Sequence, residues 1–194
     1  KIDITGVSVH PGYAKDKMVN AARLATELVQ KMPEFETPEH TTGFEGFFHL
    51  TNFSGTVERA QLSFIIRDHD RERFEARKAM LRGLVQGMNA KYGYEALQLT
   101  LSDTYYNMRE KVEPVMHIID IAKESMGMAD VTPEIKAIRG GTDGAQLSFM
   151  GLPCPNVFAG GLNFHGAHEF LPIPNLEKAS EVVVNIVKLT AERF

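Results

Sequence analysis

In the first half of the chain, apolar and polar residues follow the two periods that distinguish strands from helices. Alternation with a period of two predicts strands at residues 1–10, 44–52, 55–67 and 96–106. The alternation changes phase at Gly6, which suggests a bulge there. Apolar residues three and four positions apart predict a helix over residues 18–32. A second helix is predicted to begin after Asp68 or Asp70, either of which can cap it, and to end at Tyr92.

These elements occur in the order β-α-β-β-α-β, with residues 52–55 as the predicted hairpin turn between the second and third strands. This order is typical of the ferredoxin-like, or split βαβ, arrangement, an α+β fold with an antiparallel sheet and two helices on one face. Because many unrelated functions occur on this fold, it identifies none of them.

Beyond residue 106 the pattern changes to shorter segments. Helices are predicted at residues 115–126, 145–150 and 176–190, and short strands at 134–138 and 155–158. Asn175 is the predicted cap of the last helix. An α/β segment of fewer than about 90 residues is too small to bury a parallel sheet on both faces, so we expect it to need partner strands that the chain lacks. The predicted domains are residues 1–106 and 107–194.

Composition and charge exclude several classes of protein. Twenty-one Lys and Arg stand against 25 Asp and Glu among 194 residues, a formal charge of −4, whereas a nucleic-acid surface needs a basic excess. No stretch approaches the ~18 uninterrupted apolar residues of a membrane helix. Cys154 is the single cysteine, so we expect no internal disulfide and a reducing, cytoplasmic location. Since the chain opens at Lys1 without an initiator Met or a signal peptide, we expect it to be a piece of a longer polypeptide.

The sharpest cluster of candidate chemistry is His165, His168 and Glu169. Imidazole and carboxylate are the usual zinc ligands of hydrolases, and a catalytic zinc typically keeps three protein ligands and a water. The spacing is not that of a helical HExxH site. The alternative interpretation is a surface loop that happens to carry two histidines.

Residues 139–144 form a second candidate, an anion-binding turn. Two glycines followed by Thr142 or Asp143 as a helix cap would present free backbone N–H groups, and the Arg139 guanidinium suits a carboxylate. The turn lacks the GK[ST] ending of a nucleotide-binding loop. An ordinary strand-to-helix turn explains the same residues.

Four single residues complete the candidates, each with a structural alternative. His10 ends a strand before Pro-Gly and either reaches into a cleft or stabilises the turn. Arg67 lies in a charged run that is typical of a solvated face. Asn107 lies at the junction of the two halves, as a cleft residue or as plain linker. Cys154, between two prolines, is better explained by packing than as a nucleophile.

Four segments in the same order together resemble the di-zinc aminoacylase/carboxypeptidase family of metallopeptidases, and within it the aminopeptidases that act on tripeptides. The segments are HPGYAK at residues 10–15, SDTYYNMREK at 102–111, IRGGTDGA at 138–145 and NFHGAHEF at 163–170. The resemblance extends from the first residue to the last. It implies a two-zinc catalytic domain interrupted by a ferredoxin-like lid, with residues 1–106 as the lid and 107–194 as the closing part of the catalytic domain.

The resemblance also implies roles for individual residues. His165 matches the zinc ligand that the family draws from its C-terminal segment, with His168 and Glu169 as supports that orient it. His10 matches the lid histidine that meets the substrate or the tetrahedral intermediate. Arg67, Asn107 and Arg139 match the polar groups that the family places around the peptide. With the turn Gly140, Gly141 and Thr142, Arg139 is expected to hold a carboxylate.

The other zinc ligands, the bridging aspartate and the general-base glutamate of this family belong to an N-terminal half that the chain lacks. One ligand cannot hold two zinc ions, so we expect cleavage of small peptides by the full-length enzyme and no activity from this chain alone. The implied partners are a peptide substrate, the missing half and a second copy of the lid, with no nucleic acid and no membrane. The alternative function is a non-catalytic dimerisation or peptide-binding module.

Overall fold

The computed structural model describes residues 1–104 and 106–194. These residues form two compact units, Lys1–Asp103 and Thr104–Phe194, which are described separately below. Tyr105, which belongs to the strand predicted at residues 96–106 and to one of the four family segments, lies outside the described residues.

Within the described part of the first unit, four strands form one antiparallel sheet with the order β2-β3-β1-β4. The strands are β1 (Ile2–Thr5), β2 (Phe47–Gly55), β3 (Arg59–Arg67) and β4 (Leu97–Leu99). Helix α1 (Ala21–Gln30) connects β1 to β2, and helix α2 (Arg71–Tyr92) connects β3 to β4. The predicted antiparallel sheet with helices is confirmed.

One face of the sheet forms the core of this unit because its apolar residues alternate with polar ones. Ile2 and Ile4 are buried, whereas Asp3 between them points to the opposite face and accepts a hydrogen bond from Gln61 at 2.9 Å. The apolar sides of both helices cover the buried face. The core comprises Ile2, Ile4, Ala21, Leu24, Ala25, Leu28, Ala60, Leu62, Leu81, Val85, Met88, Ala96 and Leu97.

The two helices begin where polar side chains satisfy their free N–H groups. Asn20 caps α1 by accepting a hydrogen bond from the Arg23 N–H at 3.2 Å. Of the two predicted caps for α2, the structure selects Asp70, whose Oδ1 accepts from the Arg73 N–H at 2.9 Å. The helix ends at Tyr92 and is followed by its C-cap Gly93, which adopts the left-handed conformation with φ 75°.

Three strand boundaries in this unit differ from the prediction. Residues 52–55 are part of β2 rather than a turn: β2 contains a bulge at Leu50/Asn52 and stays paired with β3 as far as Gly55, so the turn lies at residues 56–58. The first strand ends at Thr5, and Gly6 marks a close backbone approach rather than a bulge. Of the strand predicted at 96–106, only β4 is present among the residues that the structure describes.

The described part of the second unit is helical. Its helices are α3 (Arg109–Val112), α4 (His117–Met128), α5 (Asp143–Phe149) and α6 (Ile173–Arg193). Helices α4 and α6 pack together, with Ile121, Val182 and Leu189 buried and Asn185 Nδ2 donating to the Ser125 carbonyl at 3.4 Å. No helix among the described residues is both long and apolar enough to span a membrane.

The prediction of an α/β segment is corrected by this unit. Residues 134–138 and 155–158 form no strand, and the β-pairing found in the described part of this unit is the isolated bridge Leu162–Phe170. A strand requires ladder hydrogen bonds to a neighbouring strand, and neither segment is part of a sheet among the described residues. Asn175 is also not the cap of α6, which begins earlier after Pro172; its side chain donates instead to the Gly160 carbonyl at 2.9 Å.

Candidate functional site

His10 occupies the cap position of a short 3₁₀ helix, Pro11–Tyr13. Its Nδ1 accepts a hydrogen bond from the Gly12 N–H at 3.1 Å, and its carbonyl accepts one from the Tyr13 N–H at 2.8 Å. The ring is exposed and lies 5.5 Å from the Tyr13 ring, centroid to centroid. The turn therefore holds the backbone and one ring nitrogen of His10 and leaves the rest of the imidazole open to solvent.

Arg67 is the last residue of β3 and is half-buried. Directly after it, the buried Asp68 carboxylate accepts from Arg77 Nε at 2.9 Å, and Glu36 also pairs with Arg77. Burial lowers the pKa of Arg77, but its hydrogen bonds to Asp68 and Glu36 outweigh that effect and hold the pKa above its usual value. This ion pair fixes the chain that follows Arg67.

The register of the sheet places the end of β1, which leads to His10, far from Arg67 at the end of β3. Thr5, from which the chain runs on to His10, pairs with Arg59 at the start of β3. Arg67 ends the same strand eight residues later, roughly 26 Å away at the rise of an extended chain. The sheet therefore does not bring these two ends together.

In the second unit, residues 139–142 lead directly into α5, and Thr142 is the cap. Its Oγ1 accepts from the Ala145 N–H at 3.3 Å and from Asn156 Nδ2 at 3.2 Å. Gly140 and Gly141 before it are exposed, and Arg139 is half-buried. A Cβ on Gly144 would lie 2.4 Å from the Cys154 carbonyl, so the start of α5 packs closely on that segment. The turn thus has the cap geometry that its sequence suggests.

His165 lies in a tight loop closed by the Leu162–Phe170 bridge. Its backbone is left-handed, with φ 64°, and its N–H donates to Glu169 Oε2 at 2.7 Å. Asn163 is left-handed too, with φ 57°, and its amide donates to the His168 carbonyl at 3.2 Å. Both histidines and Glu169 are exposed. Glu169 therefore holds the backbone of His165 rather than standing beside its ring as a second ligand.

The remaining candidates have local roles in the structure. Asn107 is exposed, and its Oδ1 accepts from the Arg109 N–H at 3.0 Å just before α3. Cys154 is half-buried, and its N–H donates to Ser148 Oγ at 2.9 Å. The backbone of Cys154 thus joins α5 to the segment that follows it.

Sequence reasoning missed three residues that shape these sites: Gly12, Asn163 and Asn156. Gly12 supplies the N–H that donates to the His10 ring. Asn and Asp side chains form the same kind of turn by accepting from the backbone N–H two residues later. Asn163 could have been found by its type, since Asn tolerates the left-handed conformation better than most residues. Asn156 reaches Thr142 only through tertiary folding, so no local signal marks it.

A metal ion requires more ligands than the described residues bring together. Among residues 1–104 and 106–194 there is no group of three or more His, Cys, Asp or Glu side chains arranged to hold an ion. The exposed imidazole of His165, on a backbone held by Glu169, suits one ligand position. The described part of the chain thus fits a contributor of one ligand and not a complete metal site.

Comparison with known proteins shows that this chain is similar to peptidases over its whole length. Residues 1–93 match the peptidase dimerisation domain. Over 193 residues the chain is 59% identical to peptidase T of Parabacteroides distasonis and 54% identical to that of Geobacillus kaustophilus. Both alignments cover 100% of this chain but only 47% of the relative, so the chain spans about half the length of the curated relatives it matches.

Solved structures show the same fold. A tripeptidase from Staphylococcus aureus superposes with a TM-score of 0.76 at 20% identity, over 99% of this chain and 51% of that one. An aminopeptidase from Bacillus cereus superposes with a TM-score of 0.69 at 22% identity, over 98% of this chain and 50% of that one. The similarity to peptidase T that covers the whole chain agrees with the resemblance of the four sequence segments.

Proposed function

Since this chain is related to peptidase T over its whole length, we propose that it supplies the lid and the closing part of the catalytic domain of a metal-dependent tripeptide aminopeptidase. The observation that carries the proposal is the 59% identity over 193 residues, together with coverage of only 47% of that relative. The activity is accordingly assigned to a longer polypeptide, with small peptides as substrates and the N-terminal half of the catalytic domain as the missing part.

The first unit is the lid in this proposal. Its element order and its sheet order β2-β3-β1-β4 are those of a ferredoxin-like fold, which supports the assignment of residues 1–106. The match of residues 1–93 to a peptidase dimerisation domain supports pairing with a second copy. Lids of this kind close over a bound substrate and exclude water from the reaction.

The second unit, residues 107–194 in the proposal, forms only part of the catalytic domain. Along α6 the side chains of Leu176, Val183 and Val187 are 47%, 50% and 64% exposed. Apolar side chains repeated along one helix normally face a partner surface. We assign this surface to contact with the rest of the longer polypeptide.

The roles of the site residues follow from their chemistry. His165 would donate one imidazole to the metal centre, with Glu169 and His168 shaping its loop. Two zinc ions, when bound, would lower the pKa of a shared water and polarise the peptide carbonyl. Arg139, with the Gly140-Gly141-Thr142 turn, would hold a peptide carboxylate, and Arg67 and Asn107 would contribute further polar contacts. His10 would donate a hydrogen bond to the oxyanion that develops on the carbonyl.

The test compares this chain with the longer polypeptide. Purified chain of 194 residues should release no N-terminal residue from a tripeptide and should bind no zinc tightly. The longer polypeptide should be active, lose activity on chelation and regain it with zinc. Tripeptidase activity of the pure chain, or a longer polypeptide indifferent to chelators, would contradict the proposal.

A second candidate function is a dimerisation or peptide-binding module without catalysis, favoured by the family match of residues 1–93. Size-exclusion chromatography and metal analysis of the longer polypeptide separate the two functions. A metal-free dimer that binds tripeptides without cleaving them would favour the module.

A further inference from the structure

The hydrogen bond between Gly12 and His10 has a consequence for the chemistry of the His10 ring. A backbone N–H can only donate, so Nδ1 can accept the Gly12 N–H only when this nitrogen carries no proton. The neutral ring must then carry its proton on Nε2. We propose that the Gly12 N–H fixes His10 as the Nε2–H tautomer, which makes its outward-facing ring nitrogen a hydrogen-bond donor and not a base.

The turn around His10 is built to maintain this arrangement. Pro11 has a fixed φ suited to the first position of a helix and has no N–H that could compete for the ring. The Tyr13 N–H closes the turn on the His10 carbonyl at 2.8 Å, and the Ala14 N–H reaches the Pro11 carbonyl at 3.4 Å. The ring is exposed, and its Nε2 remains available to a ligand.

The consequence for catalysis rests on the proposed function. A general base must offer a lone pair to the proton it removes, and the Nε2–H tautomer has none on that nitrogen. A preorganised N–H donor suits a developing oxyanion instead. Gly12 is therefore a positioning residue, because it acts on the substrate only through the tautomer of His10.

Nuclear magnetic resonance of the 194-residue chain tests the tautomer independently of any activity. Two-bond ¹H–¹⁵N spectra distinguish protonated from unprotonated ring nitrogens, and His10→Ala identifies the signals. In spectra recorded at alkaline pH, on the neutral ring, His10 should show the Nε2–H form alone. A mixture of both tautomers, or the Nδ1–H form, would overturn the inference.

Two substitutions at position 12 test the cause. Gly12→Pro removes the N–H, so both tautomers should appear. Gly12→Ala keeps the N–H; its Cβ would lie 3.3 Å from His10 Nδ1, which the exposed ring can accommodate, so the single tautomer should persist. A pure Nε2–H ring in Gly12→Pro would show that Gly12 is not responsible.

Kinetics of the longer polypeptide test the chemical consequence. His10→Ala should lower kcat by about 10²- to 10³-fold with a smaller change in KM, the effect of losing one oxyanion donor. His10→Gln places an amide N–H near the position of Nε2 and should recover about tenfold. His10→Asn preserves only the acceptor for Gly12 and should remain as slow as His10→Ala.

If His10→Asn recovered as much kcat as His10→Gln, the role of the ring as a hydrogen-bond donor would be refuted. If the longer polypeptide cleaves no tripeptide, the proposed function fails while the tautomer result stands. If the enzyme is active but the His10 ring populates both tautomers, the inference fails while the proposed function stands.

Discussion

Among single residues, Gly6 shows how a backbone contact can require the absence of a side chain. A Cβ at this position would lie 2.2 Å from the Val57 carbonyl oxygen and 2.4 Å from that of Val19. Both neighbours are backbone atoms, so neither can move away as a side chain would. A Cβ placed on Gly83, in the middle of α2, would have no atom within 4 Å outside the neighbouring backbone of its own helix.

The two glycines give a matched pair of substitutions. Gly6→Ala should lower the free energy of unfolding by about 1–3 kcal/mol, since the added methyl forces the backbone apart. Gly83→Ala should raise it by about 0.5–1 kcal/mol through helix propensity. Urea unfolding of the two variants measures both changes; equal effects at both positions would contradict the packing at Gly6.

Among elements, the packing of α1 on α2 includes a polar contact at one end. Glu27 on α1 accepts hydrogen bonds from Lys91 Nζ at 2.7 Å and from the Tyr92 hydroxyl at 2.8 Å, both in the last turn of α2. The hydrogen bonds from Lys91 and Tyr92 lower the pKa of the Glu27 carboxyl below its ordinary value. The contact therefore depends on an ionised Glu27.

This dependence predicts a pH effect with a definite sign. Because the folded-state pKa is lowered, the contribution of Glu27 is fully present above the unfolded-state pKa of about 4.3 and is lost as the pH falls through the folded-state value. Glu27→Gln should thus lower the free energy of unfolding by about 0.5–1 kcal/mol at pH 7 and have less effect towards pH 3. Exposed Glu34→Gln is the control, expected to change little at either pH. A Glu27→Gln effect that grows on acidification would contradict the contact.

At the scale of the whole molecule, the second unit exposes the apolar residues of α6 that the proposed function assigns to a missing partner. Val183 and Val187 face away from the buried side of the helix, where Val182 and Leu189 pack. If the rest of the polypeptide covers this surface, charges placed there should harm assembly and leave the chain itself intact.

We expect Val187→Glu to change the free energy of unfolding of the 194-residue chain by less than about 0.5 kcal/mol, as exposed substitutions usually do. Mixed with the remaining half as a separate polypeptide, the variant should restore tripeptidase activity at least tenfold less well than the unaltered chain, because a buried unpaired charge opposes docking. Lys188→Glu on the same helix is the control. Equal complementation by all three chains would mean that α6 is not the contact surface.

Local signals predicted the helices of the first unit well. The apolar spacing of α1 and α2, the cap at Asp70 and the stop near Tyr92 all depend on neighbours within a few residues, so the sequence records them directly. Strand boundaries were predicted less well, because pairing with a distant segment decides where a strand stops. Pairing of β2 with β3 as far as Gly55 places their turn beyond the predicted residues 52–55, and residues 134–138 form no strand.

For the candidate site, residue types and their order along the chain were enough to predict the similarity to peptidase T, and they made His10, Arg139 and His165 candidates. What those residues do locally depended on the folded chain: which atom of His10 is held, that Glu169 binds a backbone N–H, and that Asn156 supports Thr142. The physical reason is the distance along the chain over which each interaction acts. Identity and helix periodicity are encoded in neighbouring residues, whereas hydrogen-bond geometry and strand ends arise only after turns and tertiary packing bring particular atoms within about 3 Å of each other.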